Sequence, residues 1–234
     1  LLLNHIKPFL ERFLSVSPSL KDGFKEDTLG FHNWVHHNSY LYAINTLASQ
    51  LHILRDTDWN INSESYELLS DVVYGMLLLG NDIDFANSFC GRHPFDSQLK
   101  VSQSSFRQII ETSTSAQGEF DTKLASAYER VWDKAHFAVV QETFPQGFWQ
   151  FNSGGFGLYR QSSDNGNWVA TMKGFSSDFW GTETYTTQNR YGRYQSYGAL
   201  EIMYPGGRGG SGIGLEGWDW NKVPGTTTIH VSYE

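Results

Sequence analysis

Cysteine is almost absent: Cys90 stands alone among 234 residues. A disulfide within the chain is therefore excluded, and a zinc site built on thiolates lacks ligands. Long apolar runs are missing as well. The longest, "GMLLLG", falls far short of the roughly 20 residues that span a bilayer. Positive charge is in deficit: 17 Lys and Arg against 25 Asp and Glu give a formal net charge of −8. A general nucleic-acid binder would be basic, so that class is set aside. An anionic substrate is not excluded, because a local basic cleft can outweigh the global sign. Charged residues make up only 18% of the chain and hydrophobic ones 39%, so the chain is expected to fold.

What the chain has in quantity is aromatic surface, 15% of residues including eight Trp. Ring faces can stack on sugars or fill a sandwich core, and composition leaves both readings open. Texture divides the chain in two. The first ~140 residues read helical by their apolar spacing. "LLLNHIKPFLERFL" puts Leu3, Ile6, Leu10, Phe13 and Leu14 on one face, with Pro8 marking a kink or a late start. "NSYLYAINTLASQLHILRDT" repeats apolar residues near a 3.6 period. "SESYELLSDVVYGMLLLG" opens at Ser63 and stops at Gly80, read as a C′ glycine. "SSFRQIIETS" and "KLASAYERVWDKAHFAVV" continue the pattern. Stacked antiparallel helix pairs are expected. From Pro145 onward, short aromatic and β-branched runs punctuated by Gly, Asn and Ser predict an antiparallel sheet, with a boundary near residues 143–146. "GGRGGSGIG", residues 206–214, lacks the Gly-Lys-Ser/Thr ending of a phosphate loop and is expected to be a flexible loop.

Four stretches could carry chemistry. In "HNWVHH", His32 and His36 lie four apart and would share a helix face, which is metal-ligand spacing. The glutamate of a His-Glu-x-x-His hydrolase is missing, since Asn33 stands there. Helix-entry histidines bonded to loop carbonyls, or acid–base and substrate-binding use with Tyr40 as companion, are the other readings. In "CGRHPFDS", Arg92 and His93 precede a proline that fixes the local backbone, so Arg92 can be aimed; it can equally serve helix C-terminal carbonyls. In "FWGTETYTTQNRYGRYQSYG", Glu183 is the sole acid, among Trp180, Tyr185 and Arg190. It could orient a His or pair with an Arg, or be an ordinary cross-strand partner. In "EGWDWNKVPGTTT", Trp218 and Trp220 alternate onto one strand face, read as core or inter-domain packing ahead of a sugar platform.

These stretches resemble the chondroitin ABC lyases of polysaccharide lyase family 8, which also holds hyaluronate, chondroitin AC and xanthan lyases. The matching segments are "DGFK", "ASQLHILRDT", "GRHPFDS", "PQGFWQFNSGGFG", "NRYGRYQSYG" and "EGWDWNKVPGTTTIH". They occur in the family's order with similar gaps over nearly the whole chain. The resemblance implies an α+β multidomain fold: the end of an (α/α) helical toroid, residues 1–143, followed by an antiparallel β-sandwich, residues 144–234. It also implies cleavage of glycosaminoglycans by β-elimination at a uronic acid, in a cleft between the two parts.

β-Elimination needs a neutraliser for the uronate carboxylate, a base for the C5 proton and an acid for the leaving oxygen. A Tyr can act as base when an Arg lowers its pKa, and can then return the proton. Carried over from the family, the Tyr falls on Tyr40, the Arg on Arg92 and the Glu on Glu183. An ungapped run from "DGFK" to "ASQL" drops the family His position onto Asn33. A one-residue slip restores His32; His36 and His37 are further candidates; or the Asn33 amide itself meets the carboxylate. The expected catalytic set is His32, Tyr40, Arg92 and Glu183. Asn33, Trp34, His36, Trp180 and Asn189 are expected to bind substrate.

No cofactor is required for this chemistry, and a structural Ca2+ near residues 22–27 stays open. The expected partner is an anionic polysaccharide, with no nucleic acid and no membrane. The chain begins at Leu1 inside a helical pattern, so a piece of a longer secreted or periplasmic protein is expected, with the parent chain completing the cleft. The rival readings are a non-catalytic glycan-binding relative, a lyase for another uronate polysaccharide, and a metal hydrolase using His32 and His36.

Overall fold

The computed structural model describes residues 3–18, 21–32, 35–36, 43–89, 99–132, 135–162, 166–174, 176–177, 198–212, 214, 216 and 219. Among the described residues, five α-helices precede a four-stranded sheet. Helix α1, Ile6–Phe13, carries Pro8 in its first turn, where the missing N–H breaks no helical bond, so the proline marks a start and not a kink. Leu10 and Leu14 face the core, while Phe9 and Phe13 are exposed.

Helices α2, Ala43–Leu54, and α3, Ser63–Leu79, both pack on α4, Gln103–Gln117, and α3 also meets α5, Thr122–Trp132. Eleven of the seventeen residues of α3 are buried, which makes it the central rod of the helical part. Its N-cap is Asn62, whose side chain accepts the Ser65 N–H. Asp121 plays the same part for α5, accepting from Leu124 N–H while Tyr66 and Ser70 of α3 donate to its other oxygen. The helix expected to run on through Val140 ends at Trp132, and residues 135–146 are irregular.

Gly80 ends α3 with φ of −86°, so the left-handed C′ role does not apply. Glycine is needed there for space: a Cβ would lie 2.9 Å from the Asp82 carbonyl and 3.1 Å from that of Asp84.

The reading of the first part as all helix missed a small sheet. Strands β1, Gly23–Phe24, β2, Gly30–His32, and β3, Val35–His36, form an antiparallel meander between α1 and α2. Strands of two or three residues are too short to show a period of two against a helical background.

The larger sheet runs β4, Gly147–Phe151, β5, Phe156–Gln161, β6, Trp168–Lys173, and β7, Ala199–Met203, each antiparallel to the next. One face packs on the helical part and shares a single apolar core with it, in which Phe89 meets Phe156 edge-on at 4.1 Å. That inward face carries Leu158, Val169 and Met203, but also Arg160, Thr171, Lys173 and Glu201. The outward face exposes Phe148, Tyr159, Met172, Leu200, Ile202 and Tyr204.

The glycine-rich stretch expected to be a flexible loop folds in part into a short helical turn, α6, Gly207–Gly210, docked against the helical part. Asp84 accepts the Arg208 N–H at 2.9 Å. A Cβ at Gly207, whose φ is +60°, would strike the Asp84 carboxylate, so this glycine is required twice over.

Candidate functional site

Two stretches of chain lead toward the residues singled out from the sequence, and both are tied to the sheet. The first is the β1–β2–β3 meander. Phe31 pairs with His36 and His32 with Val35 in antiparallel register. His32 and His36 thus belong to two strands of a hairpin and not to one helix face, so helical metal-ligand spacing does not exist here. Asn33 and Trp34, at the hairpin's tip, lie outside the described residues, as does Tyr40.

Lys25 holds the base of the meander. Its ammonium donates to the carbonyls of Pro18 at 2.8 Å and Lys21 at 2.5 Å and sits 4.8 Å from the centre of the buried Phe31 ring. Burial lowers its pKa, against the pull of Asp22 and Asp27. Asp27 then ties the meander to the sheet: it accepts the N–H and hydroxyl of Ser153, in the β4–β5 turn, at 2.8 and 2.5 Å. Among the described residues, no group of three or more His, Cys, Asp or Glu could hold a metal ion. In the segment where a structural Ca2+ stays open, Asp27 accepts from Ser153.

The second stretch, residues 80–89, runs from α3 to the Arg92 motif. Four side chains stitch it to the sheet. Arg160 of β5 donates to the carbonyls of Leu78 and Gly80, where α3 leaves its last acceptors unsatisfied. Its guanidinium lies 5.0 Å from the centre of the Phe144 ring, and burial lowers its pKa to about 10, so it stays charged at neutral pH. Asn81 donates to the carbonyls of Tyr204 at 2.7 Å and Asn167 at 3.3 Å. Asp84 holds α6 as described. Glu201 of β7 accepts the N–H groups of Asn87 and Ser88, each at 2.9 Å. Those two residues open a 3-10 turn, Asn87–Phe89, that leads directly to Cys90.

Burial pushes the Glu201 carboxyl above the usual carboxylate range, while the Ser88 and Asn87 hydrogen bonds and the charge of Arg208 pull the other way. Lys173, on the same face, is lowered to about 7 by burial; it donates to the Gly154 carbonyl at 2.7 Å and lies 4.0 Å from the centre of the Phe156 ring. A cleft of ≈ 640 Å³ opens between α1 and the meander, with Arg12, Phe13, Lys21, Phe24 and Phe31 on its walls.

Of the residues chosen from the sequence, the structure brings the backbones of His32 and His36 into one hairpin. Arg92, Trp180, Glu183 and Asn189 lie outside the described residues, like Tyr40, Asn33 and Trp34, and so do Trp218 and Trp220. The sequence reading missed Asp84, Arg160, Lys173 and Glu201, and named Asp27 only within the possible Ca2+ segment. The strand "ALEIM" gave no usable signal for Glu201, because alternation by hydropathy turns Leu200 and Ile202 inward and the glutamate outward.

Comparison with known proteins agrees with this architecture. A family model described as "Lyase, catalytic" matches residues 1–137, and one described as "Polysaccharide lyase family 8, super-sandwich domain" matches residues 147–233. The chain belongs to polysaccharide lyase family 8. It is 33% identical to a chondroitin sulfate ABC exolyase of Proteus vulgaris over 99% of its own length, and 33% identical to a chondroitin sulfate ABC endolyase of the same organism over 92%. It spans only 24% and 21% of those two proteins. Among solved structures, a Paenibacillus xanthan lyase superposes with a TM-score of 0.70 at 15% identity, covering 97% of this chain and 24% of that one. A Streptomyces coelicolor chondroitin AC lyase superposes with a TM-score of 0.66 at 15% identity, covering 97% and 36%. Those two likenesses bear on the fold.

Proposed function

We propose that the chain is the catalytic portion of a longer glycosaminoglycan lyase that acts on chondroitin or dermatan sulfate, and also on hyaluronan, by β-elimination at the uronic acid. The observation that carries this reading is the pair of family matches on either side of residues 138–146, together with 33% identity to relatives named for chondroitin sulfate. The structure supports it by tying both the His32–His36 hairpin and the 3-10 turn before Arg92 to one sheet. A cleft between a helical part and a sheet needs such ties, because catalytic geometry tolerates little displacement.

In the proposed reaction, His32 or Asn33 hydrogen-bonds the uronate carboxylate, which makes the C5 proton acidic enough to remove. Tyr40, its pKa lowered by Arg92, takes that proton; electrons flow to C4–C5 as the C4–O bond breaks. Tyr40 returns the proton to the leaving oxygen, and Glu183 holds Arg92 and the imidazole in place. Trp34, His36, Trp180 and Asn189 bind the chain of sugars. No cofactor takes part.

The exposed apolar face of the sheet, Phe148 to Tyr204, is the surface that a second sandwich layer of the parent chain would cover. A secreted or periplasmic location follows from a polymer substrate found outside cells.

The test is a substrate panel with the full-length gene product: chondroitin sulfate, dermatan sulfate, hyaluronan and xanthan. The account expects ultraviolet absorbance from a C4–C5 double bond with the first three. Activity on xanthan alone overturns the substrate assignment, and a saturated product overturns β-elimination. Asn33 at the family's His position favours one rival, a non-catalytic glycan binder. Binding of chondroitin sulfate with no double-bond absorbance would establish it.

A further inference from the structure

Glu201 stands out on the inward face of β7 between Ala199 and Met203, in positions where the strand otherwise buries apolar atoms. Its two oxygens are each occupied by a separate backbone donor, Asn87 N–H on Oε1 and Ser88 N–H on Oε2. N–H groups in the first turn of a helix have no intrahelical partner, and a local Ser or Asp usually serves them. Here the acceptor comes from a strand more than a hundred residues downstream. Two parallel bonds fix orientation as well as position, which one bond cannot do.

The arrangement closes on itself. Asp84, three residues before Asn87, holds the backbone of Arg208. Arg208 is itself buried, and its charge favours the ionised form of Glu201. Glu201 then holds Asn87 and Ser88. On the other side of the turn, Phe89 is fully buried and packs edge-on against Phe156 of β5. The last described residues before Cys90 are therefore fixed at their backbone and at their ring. Arg92 follows Phe89 by three residues. An apolar residue at position 201 would give an ordinary sheet core but would leave both N–H groups without an acceptor and the turn free to rotate.

We propose that Glu201 is a positioning residue for Arg92: by gripping the 3-10 turn Asn87–Phe89 from strand β7, it fixes the backbone from which the chain continues to Arg92. This rests on the reading of Arg92 as the group that activates Tyr40. Glu201 touches neither substrate nor reacting atoms and acts through the turn alone.

The experiment uses the full-length gene product with chondroitin sulfate. Glu201→Gln preserves size but turns one acceptor into an amino group facing an N–H. The expected result is a kcat lower by roughly 10- to 100-fold with KM changed by less than about 3-fold, in protein that still melts cooperatively. On an Arg92→Lys background the same substitution should cost less than about 3-fold further, because both changes act through one group. A kcat within about 3-fold of wild type for Glu201→Gln, or an equal loss on both backgrounds, overturns the positioning role. Where Glu201→Gln does not fold, Glu201→Asp carries the same comparison, since it keeps the charge and shortens its reach. An Arg92→Lys variant with wild-type kcat contradicts the role of Arg92 itself. Loss at Arg92 with none at Glu201 contradicts the positioning role alone.

Discussion

Ser153, in the turn between β4 and β5, donates its hydroxyl to Asp27 at 2.5 Å and its backbone N–H to the other carboxylate oxygen at 2.8 Å. One carboxylate thereby fastens the meander that carries His32 and His36 to the large sheet. Asp27→Ala leaves the Ser153 N–H without its acceptor and should lower stability by about 2 kcal/mol, against about 1 kcal/mol for Ser153→Ala. Thermal midpoints of the two variants and their double mutant check this. If the double mutant loses the full sum of the two singles, the pair does not act as a unit.

Gly75 gives a sharper test of how the meander docks. It sits in the middle of α3, where Gly→Ala ordinarily stabilises a helix by about 1 kcal/mol. Here a Cβ would lie 2.7 Å from the Thr28 hydroxyl, and Thr28 itself holds a φ of +66°. Gly75→Ala should therefore destabilise the protein, by about 1–3 kcal/mol. Thr28→Gly removes both the clash and the unfavourable φ, so it should rescue the variant. A stabilising Gly75→Ala would show that α3 and the meander are not in this contact.

Lys173 makes stability depend on pH. Burial lowers its folded pKa to about 7, against the ordinary lysine value of 10.5 that it regains on unfolding. Between those two values the unfolded chain binds more protons than the folded one, so stability rises with pH there and is flat below. The slope has an upper limit of about 1.4 kcal/mol per pH unit. Lys173→Met removes the titrating group. Wild type should gain on Lys173→Met as pH rises from 7 to 9, read as the difference between their thermal midpoints. Parallel curves would mean that Lys173 stays charged in the fold.

Much of this fold was legible in the sequence, and the exceptions have physical causes. Helices α2, α3 and α4 were plain because each is long enough to repeat its apolar period. The meander was not, because its strands hold two or three residues each. Strand β7 was legible as a strand, but hydropathy points its faces the wrong way. Leu200 and Ile202 are 45% and 42% exposed while Glu201 is buried, because the face turned to the helical part carries the polar ties. The glycine-rich stretch looked flexible because nothing near it in sequence shows that Asp84, over a hundred residues earlier, caps its turn. The motif residues Tyr40, Arg92 and Glu183 stood out by type and order. The side chains that fix the backbone leading to them did not, since Asp27, Arg160 and Glu201 sit in no motif and act across the boundary between the two parts.

If Tyr40 removes the C5 proton and returns it to the leaving oxygen, as proposed, Tyr40→Phe in the full-length gene product should abolish the elimination. The change removes one oxygen and leaves the ring. Chondroitin sulfate should still bind while ultraviolet absorbance from the unsaturated product disappears. Substantial residual absorbance in a folded Tyr40→Phe protein would contradict it.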